Sequence, residues 1–163
     1  MNRINWIINH PLYVTSYKQL ETLEKNRIFC CHQMPHLLDV ARIAYIRNLE
    51  ENLGISKPVL YAAALLHDIG KGQQYEQKIP HEIASEAIAR TILSEMPEDF
   101  CFSPEEQNMI LSAILNHRKY DPNLSVFDQL LYESDKASRN CFCCPAKEEC
   151  NWPATKMNME IQN

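Results

Sequence analysis

Hydrophobic residues recur at three- and four-residue spacing along most of the chain, and no segment shows the strict alternation of a half-buried strand. Gly54 and Gly70 stand where helices are expected to end, and Ser56 and Ser103 stand where helices are expected to begin. The pattern predicts helices over residues 35–53, 56–70, 82–95, 104–117 and 124–138, with a short helix near 16–26. We therefore expect an all-α bundle.

Metal-capable side chains share faces with the apolar residues of these helices. These side chains are His36, His81, His117 and Asp135. Each lies three, four or seven residues from apolar positions of its helix. His67 and Asp68 stand side by side at the end of the apolar run in AAALLHDIGKG, residues 62–72. A single buried histidine is more often a hydrogen-bonded core residue than a ligand. The adjacent pair is costly to bury unless a partner neutralises the carboxylate, and a divalent cation does so while accepting both groups.

Composition limits the organisation and the partners. With 163 residues, 45% of them hydrophobic, the chain is predicted to be a single domain, residues 1–163, with a cysteine-rich C-terminal extension at 141–152. A net charge of −5 argues against general nucleic-acid binding. The longest apolar run, 59–66, is too short for a membrane helix, and the start lacks a secretory hydrophobic segment. We expect a soluble, cytoplasmic protein, with its oligomeric state left open.

Three motifs resemble the HD-domain superfamily of metal-dependent phosphohydrolases. His36 in HLLDVARIA is similar to the first histidine of that family, His67 and Asp68 in LLHDIGK to its doublet, and Asp135 in LLYESDKASR to its final aspartate. The resemblance spans about 100 residues in the right order. It implies an all-α HD-domain helical bundle in which these four residues bind one divalent ion.

Two more histidines resemble those of the dinuclear family members. His81 in IPHEIASEA and His117 in ILSAILNHRK match the extra ligands, which implies that Asp68 bridges two ions. Imidazole and carboxylate ligands suit iron, manganese, cobalt or zinc better than calcium. Such a site would generate hydroxide to attack a phosphoester or phosphoanhydride. Asp68, which would hold the ions, and Lys71, which follows the doublet and would balance the developing charge, are the predicted catalytic residues.

The partner that the resemblance implies is a small phosphorylated substrate of the nucleotide class. Four cations are candidates to balance the negative charge that develops on the phosphoryl oxygens: Lys71, Arg118, Lys119 and Arg139. A solvated surface charge is the equal alternative for each of them. His32, one turn before His36, is predicted to bind substrate, to lie near the metal or to satisfy the helix start. His10 is predicted to lie on the surface.

The substrate and the reaction have alternatives. ILSAILNH resembles bacterial HD hydrolases that split diadenosine tetraphosphate, but NHRKY replaces the threonine and glycine usual there. A nucleotide phosphomonoesterase fits equally well. The same ligand set also occurs in di-iron HD-fold oxygenases, and a metal-dependent sensor or binding module without turnover is the third class.

The cysteines predict a second site. In CFCCPAKEECNW, residues 141–152, Cys141, Cys144 and Cys150 have the spacing C-x2-C-x5-C, and the fourth ligand is expected to be Cys30 or Cys31. One distant upstream cysteine followed by this spacing resembles the motif that holds a four-iron four-sulfur cluster in certain nucleases. Zinc and reduced free thiols are the alternatives. Cys143 would be spare, and Cys101 would be a lone thiol.

Overall fold

A computed structural model describes residues 1–162, and within that range the fold consists of α-helices and short 3₁₀ turns without strands. The eight helices are α1 Asn2–Asn9, α2 Pro11–Leu23, α3 Met34–Glu50, α4 Lys57–Leu66, α5 Lys71–Gln77, α6 His81–Ser94, α7 Pro104–Asn116 and α8 Val126–Ala137. The predicted all-α fold is confirmed. No helix of the described range is both long and apolar enough to cross a membrane.

Helix α4 lies at the centre of the bundle. It contacts α1, α3, α6, α7 and α8, and its residues 59–66 are buried except for the partly buried Tyr61. Three consecutive alanines, 62–64, let neighbouring helices approach closely on all sides. A helix that is apolar around its whole circumference is typical of the middle of a core. The C-terminal end of α4 therefore delivers its last side chains into the interior of the protein.

The N-terminal region differs from the prediction of one short helix near 16–26. Two helices, α1 and α2, meet at Pro11, because proline has a backbone geometry suited to the first turn of a new helix. His10 caps α2 by accepting a hydrogen bond from Leu12 N at 3.2 Å, and its Nε2 lies 2.9 Å from Glu95 Oε2. His10 is buried, so its predicted surface location is wrong.

The turn after α4 also differs from the prediction. The helix ends at Leu66 rather than continuing to Gly70, and a further helix, α5, begins at Lys71. A Cβ on Gly70 would lie 2.4 Å from Ser85 N and 2.6 Å from the carbonyl carbon of Ala84. Gly70 N also donates to Ser85 Oγ at 2.9 Å. Only glycine allows this turn to sit directly against α6, which fixes the backbone that carries Asp68.

Candidate metal centre

The six predicted metal ligands are brought together by helix ends. His36 lies in the first turn of α3 and His81 is the first residue of α6. His67 and His117 are the C-terminal caps of α4 and α7, while Asp135 lies in the last turn of α8. Asp68 occupies the turn immediately after His67, and all six residues are buried. The arrangement places polar side chains where the helical ladders stop, in the interior of the bundle.

Four of these residues form a first group, in which one donor atom from each lies within 4.8 Å of the others. His36 Nε2 is 3.5 Å from Asp68 Oδ2 and 3.3 Å from Asp135 Oδ1. His67 Nε2 is 3.1 Å from Asp68 Oδ2 and 3.8 Å from Asp135 Oδ1. Two imidazoles and two carboxylates thus surround one point and could hold a metal ion.

A second group shares Asp68 with the first. Its other oxygen, Oδ1, lies 3.2 Å from His81 Nε2 and 3.6 Å from His117 Nε2. The two imidazole nitrogens are 3.1 Å apart. The two oxygens of the Asp68 carboxylate therefore face different histidine pairs, which is the arrangement of a carboxylate that bridges two ions.

The outer nitrogen of each histidine is occupied by a hydrogen bond. Nδ1 of His67 donates to Ala64 O at 2.7 Å, and Nδ1 of His117 donates to Ile114 O at 2.6 Å. For the other two, Nδ1 of His81 lies 2.6 Å from Gln74 Oε1, and Nδ1 of His36 lies 2.9 Å from Ser138 Oγ. Bonds of this kind set the tautomer, so all four Nε2 atoms face the centre as potential ligands.

The charges of the site depend on burial and on close partners. Burial alone would raise the pKa of Asp68, but the positive charge of His67 outweighs it and holds that pKa well below its usual range. Burial likewise acts against ionisation of Asp135, whose pKa is held low chiefly by Lys136. Burial lowers the pKa of His67, yet Asp68 overcomes this effect and raises it to about 9. At His81 burial dominates and lowers the pKa to about 2.

Several observations indicate that the site is built for cations. His67 Nε2 and Asp68 Oδ1 are buried and have no hydrogen-bond partner within residues 1–162. The guanidinium of Arg139 lies among the donors of the first group, with Nη2 2.8 Å from His36 Nε2 and 3.3 Å from Asp135 Oδ1. A divalent ion would bind these two atoms and replace the proton on His67. The donor set of imidazole nitrogen and carboxylate oxygen fits iron, manganese, cobalt or zinc.

His32 lies beside the candidate metal centre. Its Nδ1 donates to Glu24 Oε1, its backbone N donates to Glu24 Oε2 at 2.7 Å, and Tyr75 donates to the same carboxylate at 2.7 Å. Its Nε2 is 4.0 Å from Asp68 Oδ2. The N-cap of α3 is Gln33, so of the three alternatives predicted for His32 the one at the helix start is wrong. Sequence reasoning missed Glu24, which lies eight residues away across an irregular segment.

A cavity of about 200 Å³ opens beside the candidate metal centre, and we call it the central cavity. Its lining includes all four predicted cations, Lys71, Arg118, Lys119 and Arg139. Lys136, Lys156 and Trp152 also line it and were not predicted. Arg118 forms an ion pair with Glu82 at 2.9 Å, and burial lowers the pKa of Lys71. The only acidic side chains in the lining are Asp68 and Asp135.

The predicted cysteines surround a second cavity of about 320 Å³, which we call the cysteine cavity. Cys30, Cys141, Cys144 and Cys150 all line it. Cys31 does not, and its Sγ instead lies 3.7 Å from Phe29 O, so the structure favours Cys30 as the upstream member. Neither Cys143, predicted to be spare, nor Cys101, predicted to be a lone thiol, lines this cavity.

Comparison with known proteins identifies the family. The family model described as HD domain matches residues 35–140. The matched range begins just before His36 and ends shortly after Asp135. The chain belongs to the HD-domain family. The match confirms the predicted resemblance and supports membership of the metal-dependent phosphohydrolase superfamily.

Full-length similarity extends beyond the HD domain. An uncharacterized protein of Clostridium beijerinckii is 45% identical to this HD-domain chain over 161 residues, which cover 99% of each chain. The shared length includes the cysteine-rich segment. No solved structure gives a significant match.

Proposed function

We propose that the chain is a phosphohydrolase that uses two divalent transition-metal ions and cleaves a phosphoester or phosphoanhydride bond of a nucleotide-like small molecule. The observation that carries the proposal is the charge of the central cavity. Six cationic side chains line a space next to the candidate metal centre in a chain whose net charge is −5, and they are Lys71, Arg118, Lys119, Lys136, Arg139 and Lys156. Such a concentration of positive charge favours a phosphorylated ligand.

The proposed mechanism assigns distinct tasks to the residues of the site. Divalent ions bound there would supply Lewis-acid stabilisation and lower the pKa of a bound water towards neutrality. His36, His67 and Asp135 would hold one ion, His81 and His117 the other, and Asp68 both. The hydrogen bonds at the four Nδ1 atoms hold the imidazole rings with Nε2 towards the centre, so the rings need not rotate to bind the ions.

The cations of the central cavity would bind and orient the phosphoryl group. Lys71, half-buried, has its Nζ 3.4 Å from His81 Nδ1, so it reaches the edge of the metal centre. Lys136 pairs with Asp135 and also contacts His117 O at 3.5 Å. Both ammonium groups would balance negative charge that develops on phosphoryl oxygens. The indole of Trp152 at the cavity edge offers a surface on which a base could stack.

A direct experiment separates this proposal from its alternatives. The protein is loaded anaerobically with manganese or iron and incubated with a panel of nucleotides and dinucleoside polyphosphates. Release of phosphate or of a nucleotide without oxygen consumption supports the hydrolase. Oxygen consumption by the iron-loaded protein, without release of phosphate, supports the di-iron oxygenase. Full metal loading with neither activity supports a binding or sensor function.

A further inference from the structure

The cysteine cavity lies between two segments that are distant in sequence. Cys30 comes from the irregular segment between α2 and α3, whereas Cys141, Cys144 and Cys150 follow α8. Two short 3₁₀ turns, Cys141–Cys143 and Lys147–Glu149, fold the C-terminal segment so that its three cysteines reach the same space. Four thiols from two segments therefore line one cavity whose volume, about 320 Å³, far exceeds that of a single metal ion.

We propose that this cavity binds a four-iron four-sulfur cluster through Cys30, Cys141, Cys144 and Cys150. The proposal is independent of the reaction proposed for the HD centre. Each thiol would lose its proton and bind one iron of a cluster with four inorganic sulfides. The cluster would join the start of the HD domain to its C-terminal extension.

A four-iron cluster and a single zinc ion require different spacings of the cysteine sulfurs. A tetrahedral zinc ion binds sulfur at about 2.3 Å, which brings its four sulfurs within about 4 Å of one another. Among residues 1–162, no three cysteine sulfurs lie within 4.8 Å of one another. In a four-iron cluster each cysteine binds a different corner of a cube, so its cysteine sulfurs are held much farther apart.

The surroundings of the cysteine cavity suit a negatively charged cluster. Burial raises the pKa of the Cys30 thiol, Cys141 and Cys144 raise it further, and Arg139 lowers it. The thiols of Cys141 and Cys144 thus lie close enough to Cys30 to affect its ionisation. The cavity lining carries no acidic residue but includes four cations, Arg27, Lys71, Arg139 and Lys147. These cations would balance four thiolates bound to iron.

Arg139 connects the cysteine cavity to the candidate metal centre. It lines both cavities, donates from Nη1 to Cys31 O at 3.1 Å and contacts His36 through Nη2. Its Nε is buried and has no hydrogen-bond partner in the described part of the chain. Trp152, two residues after Cys150, also lines both cavities. Binding of a cluster would therefore fix the segment that closes one side of the central cavity.

The test measures acid-labile sulfide, because the HD centre can bind iron but holds no sulfide. The full-length protein is purified anaerobically and reconstituted with sulfide and equimolar ferrous and ferric iron. We expect about four sulfides per chain and a broad absorption band at about 400 nm. Ser substitutions at Cys30, Cys141, Cys144 and Cys150 should each remove most of the sulfide. The matched controls Cys31→Ser and Cys143→Ser should keep the wild-type content.

Several results would overturn the proposal. One tightly bound zinc per chain without sulfide, lost in Cys144→Ser and retained in Cys143→Ser, would assign a zinc site instead. Wild-type protein with neither sulfide nor zinc would leave the cysteines as free thiols. Equal loss of sulfide in Cys143→Ser would refute the choice of ligands. Asp68→Asn should retain sulfide, which separates the cluster from the HD centre and from its proposed activity.

Discussion

Oδ1 of Asp68 lies 3.2 Å from Nε2 of His81, while the other oxygen of the same carboxylate belongs to a separate group of donors. One side chain thus links two potential metal positions. The position of Asp68 in the turn after α4 makes this possible, because Gly70 lets that turn pack against the helix that begins with His81. The proposed binding of two ions rests on this relationship.

Loss of either histidine of the second group should remove one ion and leave the other. In His81→Ala and His117→Ala, we expect metal content to fall from about two to about one per chain, since the four donors of the first group remain. Elemental analysis of protein loaded with manganese checks this. His10→Ala is the control, because His10 is a buried histidine outside both groups. Unchanged metal content in both variants would show that these histidines are not ligands.

His32 should affect turnover without affecting metal content. Its Nε2 lies 4.0 Å from Asp68 Oδ2 and its Nδ1 is engaged by Glu24, so it borders the site without belonging to either group of donors. For His32→Gln and Glu24→Gln we expect at least a roughly tenfold lower kcat, as is typical when residues around metal ligands are changed. Metal content should stay at the wild-type value. A loss of one ion in His32→Gln would instead make His32 a ligand.

The lowered pKa of His32 predicts that the folded protein loses stability in acid. Burial lowers the pKa of His32 from 6.5 to about 4 in the folded protein, although Asp68 opposes this shift. The unfolded chain therefore binds a proton that the folded chain does not between those values, and stability falls as pH decreases from about 6.5 to about 4. The expected contribution is on the order of 3 kcal/mol.

Chemical denaturation of metal-free protein at several pH values measures this effect. In His32→Gln the slope of stability against pH over that interval should be smaller, because one titrating group has been removed. An unchanged slope would show that His32 titrates normally. Measurements with EDTA present keep metal binding out of the comparison.

Gly70 should be intolerant of any side chain. Its Cβ would meet backbone atoms of α6 at 2.4 and 2.6 Å, which cannot move as a flexible side chain can. Gly70→Ala should therefore cost about 1–3 kcal/mol or more and reduce metal content by displacing Asp68. Gly72→Ala is the comparison, because its Cβ would meet only the flexible side chain of Gln19, at 3.0–3.3 Å. Equal stability of Gly70→Ala and wild type would contradict the close approach.

The success of sequence reasoning varied with how local each signal was. His36, His81, His117 and Asp135 could be identified because each shares a helical face with nearby apolar residues. His67 and Asp68 could be identified because they stand side by side at the end of an apolar run, and the structure brings all six together. Helix α5 was missed because Lys71–Gln77 is short and polar. Glu24 was missed because its contacts with His32 and Tyr75 depend on tertiary packing. Cys30 and Cys31 are adjacent, so only the path of the backbone distinguishes them.

The most direct test of the proposed two-metal hydrolase is the turnover of Asp68→Asn. This substitution keeps the shape of the side chain but removes the charge that both donor groups share. With metal-loaded wild-type protein, we expect phosphate or nucleotide release from at least one phosphorylated substrate. In Asp68→Asn, kcat should fall by at least about 100-fold while the far-UV circular dichroism spectrum stays unchanged. Wild-type kcat in the variant, or no release by wild-type protein that carries both ions, would contradict the account.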